Sequence, residues 1–429
     1  MKAVMSAGLV AVTALLLVTP QSSGYAAPAA ACQKPPEPAS VQRPVPLAQS
    51  LFGAGRIWPM STGSGVTIAV LDSGVDVGHP QLRGPSIGTG ADFYRRSGSG
   101  SGRYDCDGHG TAVTSLIAAQ KVSDVGFQGL AYGARILPVV VRGEQNRTAT
   151  NTTSPEKFAR AVDWAVAHGA DVIQVSVTYG PHPAIERAVS DAAARNVVVV
   201  ASVGDSAVIE DKVPTKPGPT PYPAAYNGVI GVAAVDERTY PLQTSPWGPY
   251  VDLVAPGGNV QGANRGDGHV AVTGSSFATA FVTASAALVR SKWPDLSAAE
   301  VARRLFATAS PAAGGRPSVG YGMVDPYRAL TEGLSGEAPA SIADASAQPV
   351  DPQTAARIRD WEVTGRIALA AAGAGIVLAG VMLAMLTLVP KGFRRRWRPG
   401  RARSIPEPKP DEGDLPPAPV KLFENLETE

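Results

Sequence analysis

The chain is 429 residues long, enough for one large domain with accessory segments and a substantial core. Its net charge is only +2, and no basic stripe interleaved with aromatics runs through its middle, so no nucleic-acid partner is expected. Aromatic residues make up 6% of the chain while Ala, Gly and Pro are abundant, as suits an α/β domain with loop-rich extensions.

Lys2, an apolar run from Gly8 to Val18 and the small residues Ala26 to Ala31 read as a secretory signal peptide over residues 1–31. That run is too short to span a bilayer. Residues 32–63 form an extension, rich in Pro and turn formers from Gln33 to Gly63 and with little periodicity. Cys32 and Cys106 are the only cysteines. Two thiols exported from the cytosol are expected to pair, the alternative being two separate thiols. A bridge would tie the extension to the loop three residues before His109. Without a nearby His cluster the two cysteines do not complete a tetrahedral zinc set, and neither a metal nor a cofactor is expected.

From Gly65 short apolar runs alternate with helical segments, predicting a βαβ series and a parallel sheet flanked by helices over residues 64–332. Val66–Leu71 is an all-apolar strand of the kind buried on both faces. A helix of small and apolar residues is expected from His109 to Gln120. Ser154-Pro155-Glu156 places a cap and then a Pro at the start of another helix, ending near Gly169. Strands follow at Asp171–Thr178 and Val197–Ser202, separated by a helix at Ala184–Arg195. Ser276–Lys292 reads as a helix of Ala, Val and Phe, and Ser297 to Glu300 is a capping box opening one more.

Beyond the domain, residues 333–366 hold an Ala, Ser, Pro and Asp-rich stretch that suits a flexible spacer. Ile367–Val389 carries no charge, and at ~1.5 Å rise per residue it covers a hydrocarbon core of ~30 Å. Lys391, Arg394, Arg395, Arg396, Arg398, Arg401 and Arg403 follow at once, against Arg357, Arg359 and Arg366 on the near side. By the positive-inside rule the tail, residues 390–429, lies in the cytoplasm. The expectation is a cell-membrane protein that crosses the lipid bilayer once, with the domain of residues 64–332 outside.

Three separated words carry chemistry: Val70-Leu71-Asp72-Ser73-Gly74, Asp107-Gly108-His109-Gly110-Thr111 and Gly274-Ser275-Ser276-Phe277-Ala278. A hydroxyl is a poor nucleophile at neutral pH. It needs an imidazole to take its proton and a carboxylate to fix the tautomer and stabilise the imidazolium. Asp72 ends a buried strand, where catalytic groups gather in open α/β sheets. Gly108 and Gly110 flank His109 and let the backbone approach closely. No such setting surrounds His79, His168, His182 or His269, and they are assigned no chemistry.

The order Asp, His, Ser in these words resembles the subtilisin-like (S8) serine proteases from about Gly65 to Leu330. The resemblance implies a subtilisin-like α/β fold, a protein or peptide substrate, and a catalytic set of Asp72, His109 and Ser276. Ser275 fills the Thr position of the family's Gly-Thr-Ser word and Ser276 the nucleophile position. Ser176, Val177 and Thr178 align with the strand that pairs with extended substrate, and Thr178 adds bulk where the family often has Gly. Asp205 stands where these proteases place an Asn that donates to the oxyanion. An ionised carboxylate has no proton to donate there; a protonated one does.

Export signal, tethered extension in place of a prodomain, spacer and single basic-flanked anchor together resemble the mycosins, as do Asp-Gly-His-Gly-Thr-Ala-Val and Gly320-Tyr321-Gly322-Met323-Val324-Asp325. These are the membrane-anchored subtilases of type VII secretion systems. The resemblance implies a narrow-specificity endopeptidase whose partners are components of the secretion membrane complex. The alternative it implies is a slow or inactive protease-fold subunit that stabilises that complex.

Overall fold

The computed structural model describes Cys32, residues 36–84, 86–144, 152–205 and 219–334, and beyond them Met382, Met385 and Pro390. The expected signal segment lies outside the described residues, as do almost all of the spacer, the apolar run 367–389 and the tail. Among the described residues no helix is long and apolar enough to cross a membrane.

The extension is more ordered than its composition suggests. It forms two short helices, α1 (Leu47–Phe52) and α2 (Ala54–Ile57), with Gly53 between them in the left-handed region at φ 63°. Phe52 and Ile57 are buried, and the Phe52 ring lies 5.0 Å from that of Phe281. Burying side chains of this size contributes about 1.5–3 kcal/mol each. The Cys32–Cys106 disulfide joins the start of this segment to the loop before His109, with Cα atoms 5.1 Å apart.

The strands are β1 (Thr67–Asp72), β2 (Ala91–Asp92), β3 (Arg135–Val140), β4 (Val172–Val175), β5 (Val198–Ser202), β6 (Val229–Val235) and β7 (Leu253–Pro256). They form one parallel sheet in the order β2-β3-β1-β4-β5-β6-β7. A hairpin, β8 (Val260–Ala263) and β9 (His269–Val272), stands apart from it. Helices cover both faces: α3 (His109–Ala118) and α6 (Ser275–Lys292) on one, α4 (Pro155–Ala167) and α5 (Pro183–Ala194) on the other. Alternation along β1 explains why. Ile68 and Val70 cluster with Val113, Leu116 and Phe281, while Ala69 and Leu71 cluster with Phe158, Val162, Ile185 and Val189.

Local sequence sets the helix starts. Ser154 accepts the Lys157 N–H ahead of α4, and Ser297 and Glu300 exchange backbone bonds in a capping box before α7 (Ala298–Ala307). The strand expected at Asp171–Thr178 is shorter, and its flanks explain the difference. The Asp171 carboxylate accepts the Thr67 N–H at 2.8 Å, which fixes the entry to β4. After Val175 the chain leaves the ladder, and Tyr179 instead bridges to Tyr222. Strand order reverses about β1, so the carboxyl ends of β1 and β4 border the crevice where open sheets of this kind place ligands.

Candidate active site

Asp72 is the last residue of β1 and His109 the first of α3. Two glycines allow the approach of the turns that carry them. Gly74 has φ 105°, and a Cβ there would sit 2.0 Å from the Tyr104 carbonyl oxygen. A Cβ on Gly110 would sit 2.2 Å from the Gly74 carbonyl oxygen. The Gly110 N–H is held by the Ser73 hydroxyl at 2.8 Å.

His109 Nδ1 lies 2.8 Å from Asp72 Oδ1 and 2.9 Å from Oδ2. Asp72 is fully buried, which alone would push its pKa up. The charge of His109 and its hydrogen bond, then Arg142 and the Ser176 hydroxyl, outweigh burial and hold the carboxyl at about 2. The imidazole stays partly open to solvent and packs on the Phe277 ring, with centroids 4.9 Å apart.

The two adjacent serines differ in what they touch. Ser275 Oγ donates to the Gly204 carbonyl at 2.9 Å, and the Ser275 N–H donates to Asp205 Oδ1 at 2.9 Å. Ser276 lies one residue further into the first turn of α6, just before the Phe277 that packs on His109. Among the described residues its hydroxyl makes no hydrogen bond, so it is the uncommitted one of the pair. Catalytic hydrogen bonds of this kind commonly close only when substrate fills the site.

Asp205 thus accepts from the backbone ahead of Ser276 instead of donating. Partial burial strips water from its carboxyl and pushes the pKa up, opposed by the Ser275 bonds and the charge of His109. The residue nevertheless keeps an open face, so solvent tempers the rise. With Thr178, Tyr179, Gly180, Val203, Gly204 and Tyr222 it lines a cavity of about 560 Å³. Ser176 and Val177 are buried at the root of the same segment, while Thr178 is exposed and reaches over Gly204. Among the described residues no group of three or more His, Cys, Asp or Glu is arranged to hold a metal ion.

Two supporting residues escape a reading by motif. Asp105 is buried and accepts the N–H groups of Asp107, Gly108 and Thr111 and the Thr111 hydroxyl, so one carboxylate builds the whole turn before α3. It lies three residues before Gly108, the N-cap of α3, and so outside the position where a capping Asp is looked for. Arg142 is buried beside Asp72, and nothing in its local sequence marks it.

The subtilase family model matches residues 63–324. Mycosin-3 of Mycobacterium tuberculosis (strain ATCC 25618 / H37Rv) is 33% identical over 405 residues, spanning 82% of this chain and 84% of that protein. Subtilisin Savinase of Lederbergia lenta is 36% identical over 250 residues, 58% of this chain and 85% of the relative. Among solved structures, the MycP3 protease from the type VII (ESX-3) secretion system aligns with a TM-score of 0.59 at 31% identity. That match covers 69% of this chain and 92% of the other.

Proposed function

Because the chain belongs to the mycosin type of the subtilase family and is a serine endopeptidase, we propose that Asp72, His109 and Ser276 cut the peptide bond. The observation that carries this is the bidentate approach of the buried Asp72 to His109 Nδ1, with the uncommitted Ser276 next in sequence to the Phe277 that packs on the imidazole. Asp72 holds the proton on Nδ1, which leaves Nε2 unprotonated to act as base. Ser276 Oγ gives its proton to Nε2 as it attacks the scissile carbonyl, and the imidazolium then protonates the leaving amine. The first N–H groups of a helix have no intrahelical partner, so the Ser276 N–H is available to the oxyanion. Extended substrate lies along Ser176–Thr178 by backbone pairing, with one side chain in the cavity beside Asp205.

A fluorophosphonate probe tests the assignment. Peptide mapping is expected to find the adduct on Ser276. Ser276→Ala removes labelling, and Ser275→Thr keeps it. An adduct that persists in Ser276→Ala overturns the assignment.

The setting we propose is the membrane complex of a type VII secretion system, since the MycP3 structure that resembles this one is of a protease from such a system. The domain plan is that of the sequence: signal segment, tethered extension, catalytic domain, spacer, one membrane span at 367–389 and a cytoplasmic tail. Protease treatment of intact cells is expected to remove the domain and spare a tag placed after Glu429. A tag digested from outside contradicts this orientation. One observation favours slow turnover: Asp205 accepts a backbone N–H where an oxyanion donor is expected. Narrow specificity and a low rate are compatible with a subunit that also supports its complex.

A further inference from the structure

His109 is surrounded by more carboxylates than proton transfer from a serine requires. Asp72 reaches it from the end of β1, and Asp105 and Asp107 stand in the turn before α3. The charge of His109 also acts on Asp205, beyond the end of β5. Against these stand two cations. Arg265, in the turn between β8 and β9, donates from Nη1 to the Cys106 carbonyl at 2.7 Å. Arg142 follows β3. From α6 the ring packed on the imidazole is Phe277, preceded in sequence by Ser276, and neither carries a charge at neutral pH.

Arg142 is only 7% exposed. Its Nη2 lies 3.3 Å from Asp107 Oδ2, and its backbone N–H donates to the Asp72 carbonyl at 3.3 Å. A bridge to Thr152 fixes its backbone from the other side. Burying a guanidinium is costly, and replacing a buried ion pair by apolar residues is often neutral or stabilising. Stability is therefore a weak reason to keep this cation here. Its setting gives a better one. Asp72 binds the ring of His109 and Asp107 lies two residues before it, and Arg142 touches Asp107 while its charge acts on Asp72.

We propose that Arg142 is a positioning residue for the Asp72–His109 pair, offsetting the carboxylates so that the imidazole stays neutral and able to accept the Ser276 proton. An uncompensated cluster of negative charge favours the protonated imidazole, and a protonated His109 is no base. The guanidinium also restrains Asp107, two residues before His109, and so the turn that aims the ring. Nothing need touch substrate for this to matter.

This inference rests on His109 acting as the base. The experiment is the pH dependence of kcat on a peptide substrate, using the full chain, for the parent, Arg142→Met, Arg142→Lys, Asp107→Asn and the double variant Arg142→Met/Asp107→Asn. Removing one unit charge at an effective dielectric near 20 is expected to move the acid midpoint by roughly one pH unit. In Arg142→Met it moves up, so activity is lost at mildly acidic pH and kept on the alkaline plateau. Arg142→Lys stays near the parent. Asp107→Asn moves down, and the double variant returns towards the parent. A uniform fall in kcat with no shift in Arg142→Met means that the arginine only packs, and overturns the proposal. Should that variant not fold, Asp107→Asn carries the same test, and an unmoved midpoint there overturns it. A parent profile with no acid limb, or a fluorophosphonate adduct away from Ser276, instead rejects His109 as the base of this reaction.

Discussion

His109 and the His79–His269 pair are the same side chain under opposite instructions. At His109 the ring meets a buried carboxylate and keeps an edge to solvent. Under the N-terminal extension, each imidazole meets a backbone N–H at Nδ1 instead. The Gln81 N–H donates to His79 Nδ1 at 3.2 Å, and the Gln42 N–H donates to His269 Nδ1 at 3.1 Å. The Nε2 positions face acceptors, the Gly268 carbonyl at 3.0 Å and Gln81 Oε1 at 2.8 Å. Gln81 is fixed in that sense because its amide donates to the Gln120 and Phe127 carbonyls. Every ring nitrogen of this pair is committed, so adding a proton must break a bond to the backbone. Burial pushes both pKa values down, His269 to about 4, where His79 also disfavours its charge. The proposed base keeps an open ring edge, while the other two rings are arranged to refuse a proton.

The comparison breaks most visibly at Asp72. Asp72→Asn keeps the shape but no longer holds the proton on Nδ1, and kcat is expected to fall about 10⁴-fold on a peptide substrate. Retained activity would separate the catalytic ring from its carboxylate and remove the contrast.

Asp205 sharpens the catalytic side. In Asp205→Asn the amide oxygen can keep the Ser275 N–H contact, and the new NH₂ becomes a donor. Turnover is expected to rise, by at most about 10²–10³-fold, the size of such a donor's effect in a subtilisin, a relative of this chain. A variant no faster than the parent at any pH means that Asp205 does not face the oxyanion.

The seam between the extension and the domain, where His79 and His269 lie, gives the smallest effect, and its sign follows from burial. The His269 pKa falls from an ordinary 6.5 to about 4 in the folded chain, so between those values the unfolded state binds the extra proton. Stability from this residue is complete above about 6.5 and is lost as the pH falls to about 4, by about 1.4 kcal/mol per pH unit at most. Urea unfolding at a series of pH values is expected to show a shallower acid loss in His269→Gln than in the parent. Equal slopes would mean that the seam does not exclude the proton.

What could be read in advance was whatever sits in a local word. Asp72, His109 and Ser276 each lie in a short segment whose glycines and small residues have one geometric reason, and the caps at Ser154 and Ser297 are contacts a few residues long. Helices α1 and α2 were not legible, because they are too short for a periodic pattern and exist through burial of Phe52 and Ile57. The histidines of the seam read as inert for the same reason. Their partners Gln42 and Gly268 lie far off in sequence, as do the residues that give Arg142 its setting. Thr178 lines the cavity beside Asp205, but the departure of its segment from β4 depends on the Tyr179–Tyr222 bridge.

The central claim is that this chain cuts internal peptide bonds with Ser276. Its most direct test is incubation of the purified full chain with a library of unstructured peptides in ¹⁸O water, with products read by mass spectrometry. The account predicts internal cleavages with ¹⁸O in the new carboxyl groups, and their loss in Ser276→Ala. Cleavage that continues unchanged in Ser276→Ala, or a library left intact by the parent at every pH, would contradict it.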